Sequence, residues 1–224
     1  MSEGKAPAAN IVKLADQVAN AQIAGAQVDP EHFYPEQQRA LSYLRRKGTE
    51  LTTKALAHRL EGSLDALEQS LGALSDEQAR RSPGEGWCLQ EVTDHLTLSH
   101  RPVVDQLSTL LEGRSPEGGA VPAHLISPQP LATPWPAALE ALREVHQDLR
   151  KLLSRASDEI SQEATAPVVM VVRCEVSPGV WETVEWEEQL DWKALVAGIR
   201  VHNLEHLGQI GRIVEILDVP SVGN

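Results

Sequence analysis

Residues 191–217 read DWKALVAGIRVHNLEHLGQIGRIVEIL. Leu195, Ile199, Ile210, Ile213 and Leu217 recur at steps that place them on one face of an α-helix. His202 and His206 lie four apart near that same face. Side chains at i and i+4 are neighbours, with Cβ atoms about 5–6 Å apart, so the two imidazoles can share one metal ion. Asp191 precedes the periodic run and is the expected N-cap of a helix reaching about Leu217. An apolar face carrying two histidines points into a helical core. There, each imidazole nitrogen needs a partner, and coordination supplies one.

Three further stretches have helical period. Leu60, Leu64, Leu67, Leu71 and Leu74 form the first stripe. Leu89, Val92, Leu96, Val103, Leu107 and Leu110 form the second, in a helix expected to begin after Trp87 and run to about Glu112, with Pro102 bending it or marking a local irregularity. Leu139, Leu142, Val145, Leu149 and Leu152 form the third, within 137–156. Ser75-Asp76-Glu77-Gln78 has the form of a capping box that opens a short turn of helix. Six prolines between Gly113 and Pro136 make that stretch a loop. The period then changes. Val168–Val172 and Val180–Trp186, separated by Ser177-Pro178-Gly179, predict a β-hairpin. The expected fold is therefore mainly all-α: a four-helix bundle over residues 49–224, a small hairpin before the last helix, and an accessory helical segment over 1–48. Within that leading segment, Ile11–Ala26 is weakly helical. Asp29 can cap a second helix, which begins at Pro30 or Pro35 and stops near Gly48.

The chain has 224 residues and a formal charge of −12, with 20 Lys and Arg against 32 Asp and Glu. That balance argues against a nucleic-acid surface or docking on anionic lipid, both of which draw on clustered cations. Residues 1–9 lack the pattern of a secretory signal, and no apolar run is long enough to span a membrane. Cytoplasmic localisation is the expectation. Cys88 and Cys174 form neither a C-x-x-C motif nor a disulfide framework.

A third ligand to join His202 and His206 must come from another helix. His95 and His100 are five residues apart, about 140° around a helix, and cannot both face one site. His95, beside Leu96, is the better placed, and His100, next to Arg101 and Pro102, is expected at the surface.

Trp87-x₃-Glu91-x₃-His95-Leu96, preceded by Leu74-Ser75-Asp76-Glu77 and Pro83, resembles the first signature of the DinB/YfiT-like metalloenzymes. His202-x₃-His206-x₂-Gln209-Ile210 resembles the second. The resemblance covers roughly Thr49 to Leu217. It implies a DinB-like four-helix bundle, often a homodimer, that binds one divalent metal through His95, His202 and His206. The leading 48 residues, the Pro-rich loop and the hairpin depart from the family pattern.

Three neutral imidazoles leave coordination positions open, the arrangement of catalytic rather than structural zinc. Imidazole does not select sharply among zinc, nickel and iron(II). Glu205 is a candidate general base, and Gln209, on the ligand face, a candidate partner for a ligand or substrate. Glu91 either supports the ligands from behind or packs beside Trp87. Three functions follow. One is metal-dependent S-transfer from a low-molecular-weight thiol such as bacillithiol or mycothiol, which some DinB-like relatives conjugate to small electrophiles. The others are metal-dependent hydrolysis and a non-catalytic interaction module stabilised by the metal.

Overall fold

The computed structural model describes residues 34–218. The helix expected over 11–26 and the cap at Asp29 lie outside the described residues. Six helices and one hairpin follow in order: α1 (Pro35–Glu50), α2 (Thr53–Gly72), α3 (Asp76–Arg80), α4 (Leu89–Leu111), α5 (Trp135–Leu153), β1 (Ala166–Ser177), β2 (Val180–Leu190) and α6 (Trp192–Asp218). The four long helices α2, α4, α5 and α6 close into a ring in which α2 contacts α6 and α5, and α4 contacts α5 and α6.

Local sequence sets each boundary. The Thr52 hydroxyl accepts from the Ala55 amide at the start of α2. Ser75 and Gln78 exchange hydrogen bonds with each other's backbone amides around α3, the expected capping box. At α6, one Asp191 carboxylate oxygen accepts from the amides of Lys193 and Ala194. α4 runs unbroken through Pro102. The first stripe ends sooner than its period suggests. α2 stops at Gly72, and Leu74 sits in the connection, where its carbonyl accepts from Trp135 Nε1.

The core has two main clusters. One centres on Leu60, Leu64, Leu107, Leu149 and Trp192, the other on Leu67, Leu71, Leu89, Leu96 and Leu142. Tightly packed interiors lose stability with every void, so such leucines set the bundle's spacing. Asn203, fully buried on α6, donates to Ser63 of α2 at 3.1 Å.

α1 lies on α6 and β1, burying Leu41 and Leu44, and ends two residues beyond the Gly48 expected from its charged last turn. Gly48 is buried against the start of α6, where a Cβ would stand 3.2 Å from the Ala194 amide nitrogen. β1 and β2 pair antiparallel through the turn at Gly179, whose φ is +77°. The strands exceed the predicted apolar runs because pairing continues through the charged stretch Glu185–Glu188. The tryptophans near the hairpin part company: Trp192 is buried in the core, whereas Trp181 is exposed on β2. The Pro-rich loop is stitched down by a bridge between Val121 and Val168 of β1. No helix among the described residues is long and apolar enough to cross a membrane.

Candidate metal centre

His95 enters the bundle from α4, and His202 and His206 enter from α6. His202 Nε2 lies 3.2 Å from His95 Nε2 and 3.1 Å from His206 Nε2. One donor atom of each ring falls within 4.8 Å of the others. With metal–nitrogen bonds of about 2.0–2.1 Å, a tetrahedral ion needs ligand nitrogens about 3.3–3.4 Å apart. Two edges of the cluster are already close to that spacing. The three residues the sequence singled out are brought together, and the cluster can hold a metal ion.

The outer ring nitrogens decide which way the lone pairs point. His95 Nδ1 is 2.8 Å from the Leu125 carbonyl, and His206 Nδ1 is 2.8 Å from Gln209 Oε1. Both partners accept only, so each Nδ1 carries the proton and donates it, leaving Nε2 as a lone pair aimed at the cluster. Gln209 thus fixes the ring of His206, a candidate ligand. Trp87 braces His95 from the other side, with ring centroids 5.0 Å apart. Glu91 does something else: it accepts from the Cys88 amide at 2.7 Å and caps α4.

Burial keeps these imidazoles neutral. It pushes His206 down to about 3, helped by the neighbouring His95 and against the hydrogen bond it donates to Gln209. It holds His202 well below the ordinary histidine value, with the adjacent imidazoles adding to the effect. His95 is lowered by burial too, with the Leu125 carbonyl opposing. Neutral imidazole is the ligating form, so the site is in its binding state at neutral pH.

His100 corrects the sequence expectation. It is not at the surface but 2% exposed, with its Nε2 3.3 Å from His202 Nδ1. The 140° separation still keeps it out of the ligand cluster, so His95 and His100 touch opposite edges of one imidazole. The physical reason is that α4 packs against both α5 and α6, which bury a wider arc than one stripe. A signal for this was present: His100 stands four after Leu96 and three before Val103, in the stripe itself. His146 on α5 is likewise fully buried, four after Leu142 and three before Leu149. Its Nδ1 donates to Glu68 at 2.8 Å, and Arg150 bonds the same carboxylate oxygen at 3.0 Å. Burial pushes Glu68 up, but these two partners outweigh it and leave the carboxyl below its ordinary value. The His100 and His146 rings are 5.6 Å apart.

Beside the centre, between α1, β1 and α6, lies a cavity of about 350 Å³ reached by His100, His202 and Glu205. Burial pushes the Glu205 carboxyl up to about 7. The Pro-rich loop serves both places, since Leu125 bonds His95 while Pro122 and Ala123 line the cavity. Asp94, next to His95, accepts from the Ser127 amide at 2.7 Å and pins the same loop. Sequence reasoning missed Leu125 because a backbone carbonyl has no residue signature. Both cysteines are free and buried, with their thiols raised above the ordinary value: Cys88 chiefly by burial, and Cys174, also chiefly by burial, to about 11.

The DinB superfamily family model matches residues 59–210, which include all three clustered histidines. No curated protein and no solved structure matches the chain.

Proposed function

The chain belongs to the DinB superfamily, and on that premise we propose that it is a metal-dependent S-transferase acting on a low-molecular-weight thiol. The observation that supports this reading is the convergence of three imidazole lone pairs on one point, each ring neutral. A divalent ion held there (zinc, nickel or iron(II)) supplies a Lewis acid that favours the thiolate over the thiol. His95, His202 and His206 would hold the ion, and the Leu125 carbonyl and Gln209 keep His95 and His206 in the ligating tautomer. Glu205, whose carboxyl burial pushes up to about 7 in the metal-free chain, lines the cavity beside the centre and is the base this reading assigns. In the transfer, the S–H bond breaks and its proton passes to the Glu205 carboxylate. The sulfur electron pair then forms the new C–S bond, and the leaving group departs with the electrons of its own bond to carbon. The thiol is an added substrate, because Cys88 and Cys174 are buried and held protonated.

The same carboxyl favours a second reading, hydrolysis, with Glu205 taking its proton from water. One experiment separates them. Protein purified without a histidine tag is analysed for metal and then assayed with a chromogenic electrophile, with and without thiol. Bound divalent metal, lost in His206→Ala, together with turnover that needs both metal and thiol, is the expected result. Absence of metal refutes both readings. Metal-dependent turnover indifferent to added thiol refutes S-transfer in favour of hydrolysis.

A further inference from the structure

Two of the three clustered histidines have their ring protons settled by a neighbour, and the third does not. His95 and His206 each donate from Nδ1 to an oxygen that only accepts, the Leu125 carbonyl and Gln209 Oε1. His202 Nδ1 instead faces another imidazole nitrogen, His100 Nε2, at 3.3 Å. An imidazole nitrogen is either donor or acceptor, so this contact alone leaves the His202 proton free to sit on Nδ1 or Nε2. What decides it lies farther off, on α5 and α2.

Glu68 on α2 is the fixed end of a chain of side chains. One of its oxygens accepts from His146 Nδ1 at 2.8 Å and from Arg150 at 3.0 Å. Burial acts to raise this carboxyl, yet the two donors leave it below its ordinary value, so at neutral pH it is a carboxylate and only accepts. A neutral His146 with its proton on Nδ1 presents a lone pair at Nε2. That atom is buried with no hydrogen-bond partner among the described residues, and so is His100 Nδ1. The two ring centroids are 5.6 Å apart, against 5.5 Å for His100 and His202, a separation that an N–H···N bond can bridge. Pairing the two orphans satisfies both, provided His100 carries its proton on Nδ1. His100 Nε2 is then an acceptor and His202 Nδ1 a donor. His202 Nε2 is left as a lone pair, 3.2 Å from His95 Nε2 and 3.1 Å from His206 Nε2.

We propose that Glu68 is a positioning residue for the candidate ligand His202, acting through His146 and His100 to keep a proton off His202 Nε2. Without an ion, three lone pairs crowd the cluster, and a proton on His202 Nε2 would relieve them. The chain can supply it only by reversing, each ring keeping one proton but moving it to its other nitrogen. Reversal ends with a lone pair on His146 Nδ1 set against the Glu68 carboxylate, two acceptors face to face. Glu68 therefore holds the cluster in the form that takes up a cation. The effect on metal affinity rests on the three histidines being ligands. The placement of the protons does not, and neither rests on S-transfer.

The test reads tautomers in the metal-free full chain, labelled with nitrogen-15 at histidine, from the long-range proton–nitrogen couplings of each ring at pH 7.5. Zinc affinity is measured alongside by chelator competition. In the parent, His202, His100 and His146 should each carry the proton on Nδ1. Glu68→Leu removes the acceptor and should move the His202 proton to Nε2, with zinc bound about 10–100-fold more weakly. His146→Leu cuts the chain at its middle, serves if Glu68→Leu misfolds, and should do the same. The double variant should lose no more than either single one, as members of one chain are not additive. Glu68→Gln should keep the parent tautomers, because Arg150, donating to the same oxygen, turns the amide carbonyl towards His146. Asp65→Asn, which weakens the other Arg150 contact, should change neither readout. A proton on His202 Nε2 in the parent, or on Nδ1 in both Leu variants, overturns the proposal even where zinc binds. So does a loss in Asp65→Asn equal to that in Glu68→Leu. Tautomers as expected in a chain that binds no zinc uphold it and refute the metal reading instead.

Discussion

Replacing Gln209 by Leu removes its amide group, and with it the Oε1 that accepts from His206 Nδ1 at 2.8 Å. Loss of that acceptor acts twice. It leaves a half-buried N–H without its partner, a penalty to folding of at most about 1–3 kcal/mol. It also removes what favours the Nδ1–H tautomer, so part of the population places its proton on Nε2, where the ion must bind. Partners of this kind are worth about 10–100-fold in metal affinity, or about 1.4–2.7 kcal/mol. Gln209→Glu is the matched control, because a carboxylate still accepts the proton and strengthens the imidazole as a donor to metal. The assay is competition for zinc against a chromogenic chelator at pH 7.5, with denaturant unfolding of the metal-free proteins alongside. Gln209→Leu should bind 10–100-fold more weakly, and Gln209→Glu as tightly as the parent or more so. Leu and parent proteins agreeing within about twofold would refute the tautomer argument, whatever happened to stability.

Other measurements bear on the remaining claims. His206 titrates at about 3 when folded, against an ordinary value of 6.5, so below pH 6.5 the unfolded chain binds the extra proton. The histidine contribution to the metal-free protein is therefore complete above pH 6.5 and is lost as the pH falls towards 3, while Glu205, raised to about 7, opposes it between pH 7 and 4.5. From pH 6.5 down, His206 alone removes about 1.4 kcal/mol per pH unit, read as a falling melting temperature. His100 and His202 are shifted in the same direction. A chromogenic disulfide reagent should label neither Cys88 nor Cys174 until the protein is unfolded. Rapid labelling of either would restore an internal thiol to the mechanism. Leu64→Ala, at a fully buried core position, should cost about 2–5 kcal/mol and lower the denaturant midpoint without changing its slope. The homodimer implied by the family resemblance predicts twice the 24.5 kDa chain mass in light scattering.

The helices were legible because burial on one face leaves a period in the chain. The leucines of α2 and the apolar positions of α4 stand where the sequence put them, and so do the caps at Ser75 and Asp191. His202 and His206 were readable for the same reason, being polar residues on an apolar face. His100 was misjudged because Arg101 and Pro102 weighed more than its place in the stripe. Two features leave no linear trace. The Leu125 carbonyl reaches His95 across thirty residues of chain, and the cavity arises only when the hairpin, α1 and α6 come together.

The loop between α4 and α5 is more than a connection. Leu125 holds a candidate metal ligand, Val121 is hooked to the hairpin, and Pro122 and Ala123 form cavity wall, all within five residues. One short span of chain, with Pro122 in it, thus joins the carbonyl on His95 to the cavity wall. Were both places occupied, any coupling carried by that span would be reciprocal: whatever factor an ion contributed to ligand affinity, the ligand would return to the ion.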